Sequence, residues 1–194
     1  MLSRDSVLRL VIEPIAIAIV LALVARTFIH IYTIPSGSML PTLCEGDQIL
    51  VTSYVRAEPS RGDVIVFRAP RGDELMVKRI VAAPGDLIET RGGKIAIGGH
   101  ALPERYLAEP AASGVIPPQI VPSDCYFVMG DNRADSLDSR TWGVLPRELI
   151  VGKARIVLWS SAGPRWRTAA HASTIEPAPN AAAPRSLRLL VPIR

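Results

Sequence analysis

Between positions 7 and 24, 15 of 18 residues are Ala, Val, Ile or Leu, broken only by Arg9, Glu13 and Pro14. A run that is apolar on every side seldom belongs to a domain this small, so it favours folds that place it in a bilayer. A helix over residues 10–28 is about 28 Å long at about 1.5 Å per residue, against a hydrocarbon core of about 30 Å. One span fits. Glu13 lies less than a turn from Leu10 and reaches the interface, while Pro14 falls in the first turns, where a missing N–H does least harm. Arg4, Arg9 and the α-amino group flank the N-terminal side against Arg26 on the other, so the positive-inside rule puts the N-terminus in the cytoplasm and the body outside it. Two other readings of the run stand. One is a cleaved secretory signal, because a basic start, the apolar stretch 15–24 and Ala25 match its three regions. The other is a buried helix of a soluble domain. Both membrane-linked readings send the body to the same compartment.

With residues 1–28 set aside, 75 of the other 166 residues are apolar, about 45% and normal for a globular domain. One ordinary core is therefore expected. Fourteen Gly and two Cys exclude collagen-like and disulfide-dense classes. The net charge of +4 suggests nucleic acid until its placement is examined: residues 29–163 carry 14 Lys+Arg against 15 Asp+Glu. The surplus sits at the two ends, which leaves the body no basic excess for phosphate, and no nucleic-acid partner is expected.

Prolines and glycines recur irregularly through the body and leave few windows long enough for a helix. Residues 48–55, 63–67, 76–81, 87–90, 94–97, 126–129 and 154–159 are rich in Val, Ile and aromatics and bounded by Gly, Pro or Asp, which predicts short strands. Arg91-Gly92-Gly93 reads as a hairpin turn, since paired glycines supply the positive φ such turns demand. The expectation is a mostly β, antiparallel body behind one N-terminal transmembrane helix. Residues 98–123 are Pro/Ala-rich and read as a long loop. Three parts follow: a cytoplasmic start and anchor over 1–28, the body over 29–167, and an Ala/Pro-rich basic tail over 168–194, read as flexible. Cys44 and Cys125 lie 81 positions apart and make no zinc site by themselves. An exported body permits a disulfide between them; two buried thiols are the alternative.

The chain contains no H-E-x-x-H, no G-x-S-x-G and no phosphate-binding glycine loop. His30, His100 and His171 stand in no motif-like context, and neither a metal nor a cofactor is expected. What remains is a set of polar residues in structurally costly places. Ser36 and Ser38 lie among apolar residues, with Pro35 and Pro41 fixing φ on the two flanks, so their hydroxyls would be held. Held hydroxyls suit a nucleophile and an oxyanion donor. Lys78 interrupts the apolar run 75–81, where alternation puts Met76, Lys78 and Ile80 on one face. Burial there favours the neutral amine, which can take a proton from serine. Asp131, Asn132, Arg133, Ser136, Asp138 and Arg140 follow directly on the strand 126–129 and can interleave as ion pairs that stiffen a loop. Taken singly, each has a plainer reading: the serines as a turn, Lys78 as an edge-strand charge, Asp138 and Arg140 as a surface salt bridge.

Taken in order, they resemble the bacterial type I signal peptidases (leader peptidases), a membrane-anchored serine-protease family with a Ser/Lys dyad. The resemblance rests on P-S-G-S-M-L-P-T-L at 35–43, R-G-D-V-I-V-F at 61–67, K-R-I-V-A-A-P-G-D at 78–86 and G-D-N-R-A-D-S-L-D-S-R-T-W-G at 130–143. It implies Ser38 as nucleophile, Lys78 as general base and Ser36 as a side-chain oxyanion donor beside the Ser38 N–H. Ser136 would bond and orient Lys78, Asp138 and Arg140 would brace the site, and Asp131, Asn132 and Arg133 its surroundings. By resemblance and position, Ile34, Met39, Leu43, Met76 and Val77 are the candidate apolar walls of small substrate pockets. The implied fold is a β-rich, barrel-like body behind a membrane anchor. The implied activity is cleavage of exported preproteins after small-x-small sequences such as Ala-x-Ala, by a monomer in the bacterial inner membrane with its peptidase domain on the periplasmic side. Residue 134 is Ala where the motif usually carries Asp, and residue 135 is Asp where Asn is common. Only 52 residues separate Lys78 from Asp131, so the large second domain of some family members is lacking. The alternatives are a specialised relative that processes one conjugation or pilus protein, and an inactive membrane-anchored binding module. A self-cleaving repressor of the SOS type would need a DNA-binding helix pair where this chain has its apolar run.

Overall fold

The computed structural model describes residues 8–107, 114–160 and 191–192. It divides into two compact units, residues 1–30 and 31–194. In the first, one π-type turn, Leu8–Ile12, leads into helix α1, Glu13–Phe28. The segment Arg9–Phe28 is long and apolar enough to cross a membrane. Leu10, Ile15, Ile17, Ile19, Val20, Leu21 and Leu23 all stand more than half exposed, so apolar side chains point outward on every face of the helix.

The second unit is mostly antiparallel β. Its larger sheet runs in the order β1 (Ile29–Thr33), β2 (Gln48–Thr52), β11 (Ile150–Trp159), β3 (Val64–Arg68), β4 (Leu75–Ala82), β9 (Cys125–Met129) and β10 (Leu145–Pro146), with β12 (Val191–Pro192) laid against β11. The smaller runs β7 (His100–Ala101), β6 (Lys94–Ile97), β5 (Leu87–Arg91) and β8 (Gln119–Ile120). Among the described residues the larger order stays open from β1 to β10, so the body is two sheets and not a closed barrel. The expected hairpin joins β5 to β6: Arg91 pairs with Lys94, and Gly92 and Gly93 take φ of 58° and 76° between them.

All seven expected strands form, and where their limits differ the cause is local. β11 begins four residues early because Gly152 continues it: a Cβ there would lie 2.6 Å from the Thr52 carbonyl oxygen, so the residue that breaks the apolar pattern is the one the close approach requires. Residues 98–123 hold two strands of two residues each, and 108–113 fall outside the described residues. Of the tail, only Val191 and Pro192 are described, in register with Val157 and Ile156. Cys44 is buried and Cys125 half-buried, and no disulfide joins them.

The sheet's centre is covered on both faces. Along β3, Val64 and Val66 enter a cluster with Ile34, Met39, Leu43, Ile49 and Val77, while Ile65 and Phe67 enter a second with Ile80, Tyr126, Val128 and Leu145. A third, around Ile88, Ile95, Phe127 and Met129, fills the space between the smaller sheet and the ends of β4 and β9. Lys78 and Arg79 therefore lie in a central strand with core on every side, 3% and 1% exposed.

Candidate active site

Three segments meet at Lys78. The first is the loop from Ile34 to Asp47, whose ends are joined by Ile34 N–H to Asp47 O and Gly46 N–H to Ile34 O, both at 2.8 Å. The fully buried Asp47 carboxylate accepts the Ser160 hydroxyl at 2.6 Å and the Cys44 amide at 2.9 Å, which fixes the loop's base. Within it, Ser36 is extended and caps a 3₁₀ turn, Gly37–Met39, pinned by the buried Met39 side chain. The turn leaves Ser36 exposed and Ser38 half-buried. The Ser36 hydroxyl donates to Ser38 Oγ at 3.3 Å, and the Ser38 N–H lies in the first turn, where a helix offers no acceptor of its own.

The second segment is β4. Alternation holds as expected: Lys78 pairs with Ile65 and Met76 with Phe67. Lys78 Nζ is hydrogen-bonded to Ser38 Oγ at 2.7 Å. Burial lowers the Lys78 amine from the ordinary lysine value, against an opposing pull from Asp138 and Asp131, with Arg140 reinforcing the fall. A buried lysine whose only described hydrogen bond is to a serine oxygen is arranged to take that serine's proton.

The third segment follows β9. Arg79 pairs with Met129 and Ile80 with Val128, so the β4–β9 ladder ends beside Lys78 and Gly130 follows directly on it. A Cβ on Gly130 would lie 2.3 Å from Ser136 Oγ and 2.5 Å from the Ser38 carbonyl oxygen. Only glycine lets the three segments close. Asn132 ties the third to the first: its N–H donates to Ser38 O at 3.0 Å and its side-chain amide to Gly37 O at 3.2 Å.

Behind these contacts the carboxylates are fully engaged. Asp138, buried, accepts from Gly130 N–H at 3.0 Å, Ser136 Oγ at 2.7 Å and the Arg140 guanidinium at 2.8 Å. Burial alone would raise the Asp138 carboxyl, but these donors hold it below its ordinary value. Ser136, expected to bond Lys78, donates to the Asp138 carboxylate two residues along the loop, at 2.7 Å. Arg140 also donates to the Arg133 and Ser136 carbonyls, at 2.8 and 3.3 Å. Asp131 receives both Nε and Nη2 of Arg79, at 2.9 and 2.7 Å, in an ion pair whose side chains are 0% and 1% exposed, and it takes the Thr42 hydroxyl as well. Arg133, equally buried, donates to Gly130 O at 3.0 Å and pairs with Glu104.

Of the expected pocket residues, Ile34, Met39, Leu43 and Val77 are 8% exposed or less and share the cluster beneath the serine turn. Half-buried Met76 packs in the cluster on the opposite sheet face. The departures at Ala134 and Asp135 are both exposed. Four residues escaped the sequence reading: Arg79, Thr42, Glu104 and Tyr106. Arg79 carried the signal that exposed Lys78, a charge inside an apolar run. Glu104 and Tyr106 fell in a stretch read as loop, and nothing in the sequence marks Thr42.

The family model described as signal peptidase, peptidase S26, matches residues 8–159. Signal peptidase I of Leptolyngbya laminosa is 40% identical over 168 residues, covering 81% of this chain and 82% of the relative. Probable signal peptidase I-1 of Synechocystis sp. is 42% identical over 154 residues, covering 74% and 78%. Signal peptidase I P of Bacillus subtilis subsp. natto is 34% identical over 161 residues, covering 76% and 87%. The matched span includes the serine turn, β4 and the loop after β9, and the chain belongs to the signal peptidase family, peptidase S26.

Proposed function

We propose that the chain is a membrane-anchored serine endopeptidase that removes N-terminal signal peptides from exported preproteins, cutting after small-x-small sequences such as Ala-x-Ala. The observation that carries this reading is the 2.7 Å contact between Ser38 Oγ and the Nζ of a lysine that is 3% exposed. Neutral Lys78 takes the Ser38 proton as Oγ attacks the scissile carbonyl carbon. The oxyanion forms between the Ser36 hydroxyl and the Ser38 N–H. As the tetrahedral adduct collapses, the Lys78 ammonium returns its proton to the leaving amine, the C–N bond breaks and an ester to Ser38 remains. Water then attacks the ester, giving its proton to Lys78, and release of the acid restores the serine. Asp138 and Arg140 hold Gly130 and Ser136 around the lysine, and Asn132 holds the carbonyls on either side of the nucleophile's peptide units.

Ile34, Met39, Leu43 and Val77, with Met76, supply the apolar surroundings that favour small side chains next to the cut. Arg9–Phe28 anchors the protein once in the bacterial inner membrane, with the N-terminus cytoplasmic and the peptidase unit on the periplasmic side, as its flanking arginines favour. A substrate that is itself tethered in the bilayer by its signal segment then meets the enzyme at the same surface.

The test is cleavage of a panel of preproteins by the full-length protein in detergent. Ser38→Ala and Lys78→Ala are expected to abolish turnover, and Ser36→Ala to lower it by about 10² to 10³. Normal turnover by Lys78→Ala would overturn the assignment, and cleavage of one preprotein alone would mark a specialised enzyme.

A further inference from the structure

We propose that Glu104 and Tyr106, on the loop that follows β7 of the smaller sheet, are positioning residues for the reaction at Ser38, closing a buried chain of alternating charges that fixes the nucleophile's loop against the loop after β9. The inference rests on the reading of Ser38 and Lys78 as nucleophile and base. Neither residue touches the reacting atoms. Their contacts lie one step behind, on the groups that hold those atoms.

The Arg133 side chain is 0% exposed and its Nε supports the Gly130 carbonyl at 3.0 Å. A buried guanidinium with no counter-charge is strongly destabilising, and the carboxylate that balances this one comes from Glu104, itself 10% exposed, through both terminal nitrogens. Tyr106 then joins this pair to the other. Its hydroxyl donates to Glu104 Oε1 at 2.8 Å, while its ring faces the Arg79 guanidinium at 4.0 Å. Arg79 in turn holds Asp131, and the two of them hold Thr42, four residues beyond Ser38. Burial and the neighbouring Glu104 both push the Tyr106 hydroxyl well above its ordinary value, so it stays a donor at every working pH.

One tyrosine thus bridges an ion pair that carries Gly130 and an ion pair that carries the base of the serine turn. Gly130 is where the packing is tightest, with no room for a Cβ against Ser38 O. Loosening either pair lets the serine and lysine segments slide past one another, and a misplacement of about 1 Å costs about 100-fold in turnover.

Tyr106→Leu removes the ring and leaves both ion pairs in place; Tyr106→Phe keeps the ring. With the full-length protein and a preprotein substrate, Tyr106→Leu is expected to lower kcat about tenfold with KM changed less than about twofold, and Tyr106→Phe, which keeps the ring over Arg79 but loses the bond to Glu104, to lose an intermediate amount. Glu104→Gln is expected to lose kcat at least as strongly; if it does not fold, the tyrosine pair carries the test. Wild-type kcat per folded Tyr106→Leu molecule, a change confined to KM, or wild-type kcat in Tyr106→Phe would each overturn the inference. Ser38→Ala and Lys78→Ala run in the same assay separate the two claims. Activity in either one sinks the dyad itself, whereas inactive dyad variants beside a fully active Tyr106→Leu sink only the positioning role.

Discussion

A methyl group placed on Gly130 has nowhere to go. Its carbon would lie 2.3 Å from Ser136 Oγ, 2.6 Å from Ser136 Cβ and 2.5 Å from the carbonyl oxygen of Ser38. Rotation can move Ser136 Oγ away but not its Cβ, and the contact with Ser38 is with the backbone of the proposed nucleophile. To reach even 3.0 Å, below which such contacts essentially never occur, the Ser38 peptide must retreat by at least about 0.5 Å. Asn132, bonded to the carbonyls of Ser38 and Gly37, would be dragged with it. Overpacking of this kind destabilises by about 1–3 kcal/mol, and a shift of this size at the reacting atoms lowers turnover by about 10 to 100-fold. Urea unfolding reads the first quantity and preprotein cleavage the second. The discriminating comparison is Gly130→Ala in a Ser136→Gly background, where both Ser136 contacts are gone and the one with the Ser38 carbonyl remains. If kcat there equals that of Ser136→Gly alone, the reasoning is refuted, because the clash would then be with the side chain and not with the nucleophile's peptide.

Two further outcomes follow from the electrostatics. The proposed mechanism needs the neutral amine, so kcat/KM is expected to fall on the acid side and rise with pH, its midpoint below the ordinary lysine value of about 10.4 because burial favours the uncharged form. An acid limb centred at the ordinary value would contradict the burial argument. Asp131→Ala strands the Arg79 guanidinium in the core and is expected to destabilise the fold by about 3–5 kcal/mol, measured by urea unfolding; a loss below about 1 kcal/mol would mean that water reaches the pair.

The strands were legible because their physics is local. Val64 to Phe67 have only to alternate between two apolar clusters, and a run of Val, Ile and Phe announces that. Lys78 was legible for the opposite reason, as a charge where the pattern asks for an apolar side chain. What sequence could not supply was the partner of each charge, since Arg79 finds Asp131 across 52 positions and Arg133 finds Glu104 across 29. The second pairing depends on the smaller sheet's loop, a stretch whose prolines and alanines carry no periodic signal. The Ser136 hydroxyl shows the same limit: its choice of Asp138 turns on loop geometry that spacing does not fix. β1 escaped notice because residues 29–33 continue the apolar run before them, and only the pairing with β2 marks where the strand begins.

On the proposed mechanism, the burial of Lys78 in β4, between β3 and β9, bears on when the chain becomes a protease. An unfolded lysine is an ordinary one, charged at neutral pH, and an unfolded serine has no base beside it. Here the base is uncovered as a base only when β4 has been enclosed by β3 and β9 and the serine turn has settled upon it. Catalytic competence by that mechanism therefore requires the fold that dries the lysine. A chain not yet folded, or one damaged enough to expose β4, carries every residue of the proposed site and none of its chemistry.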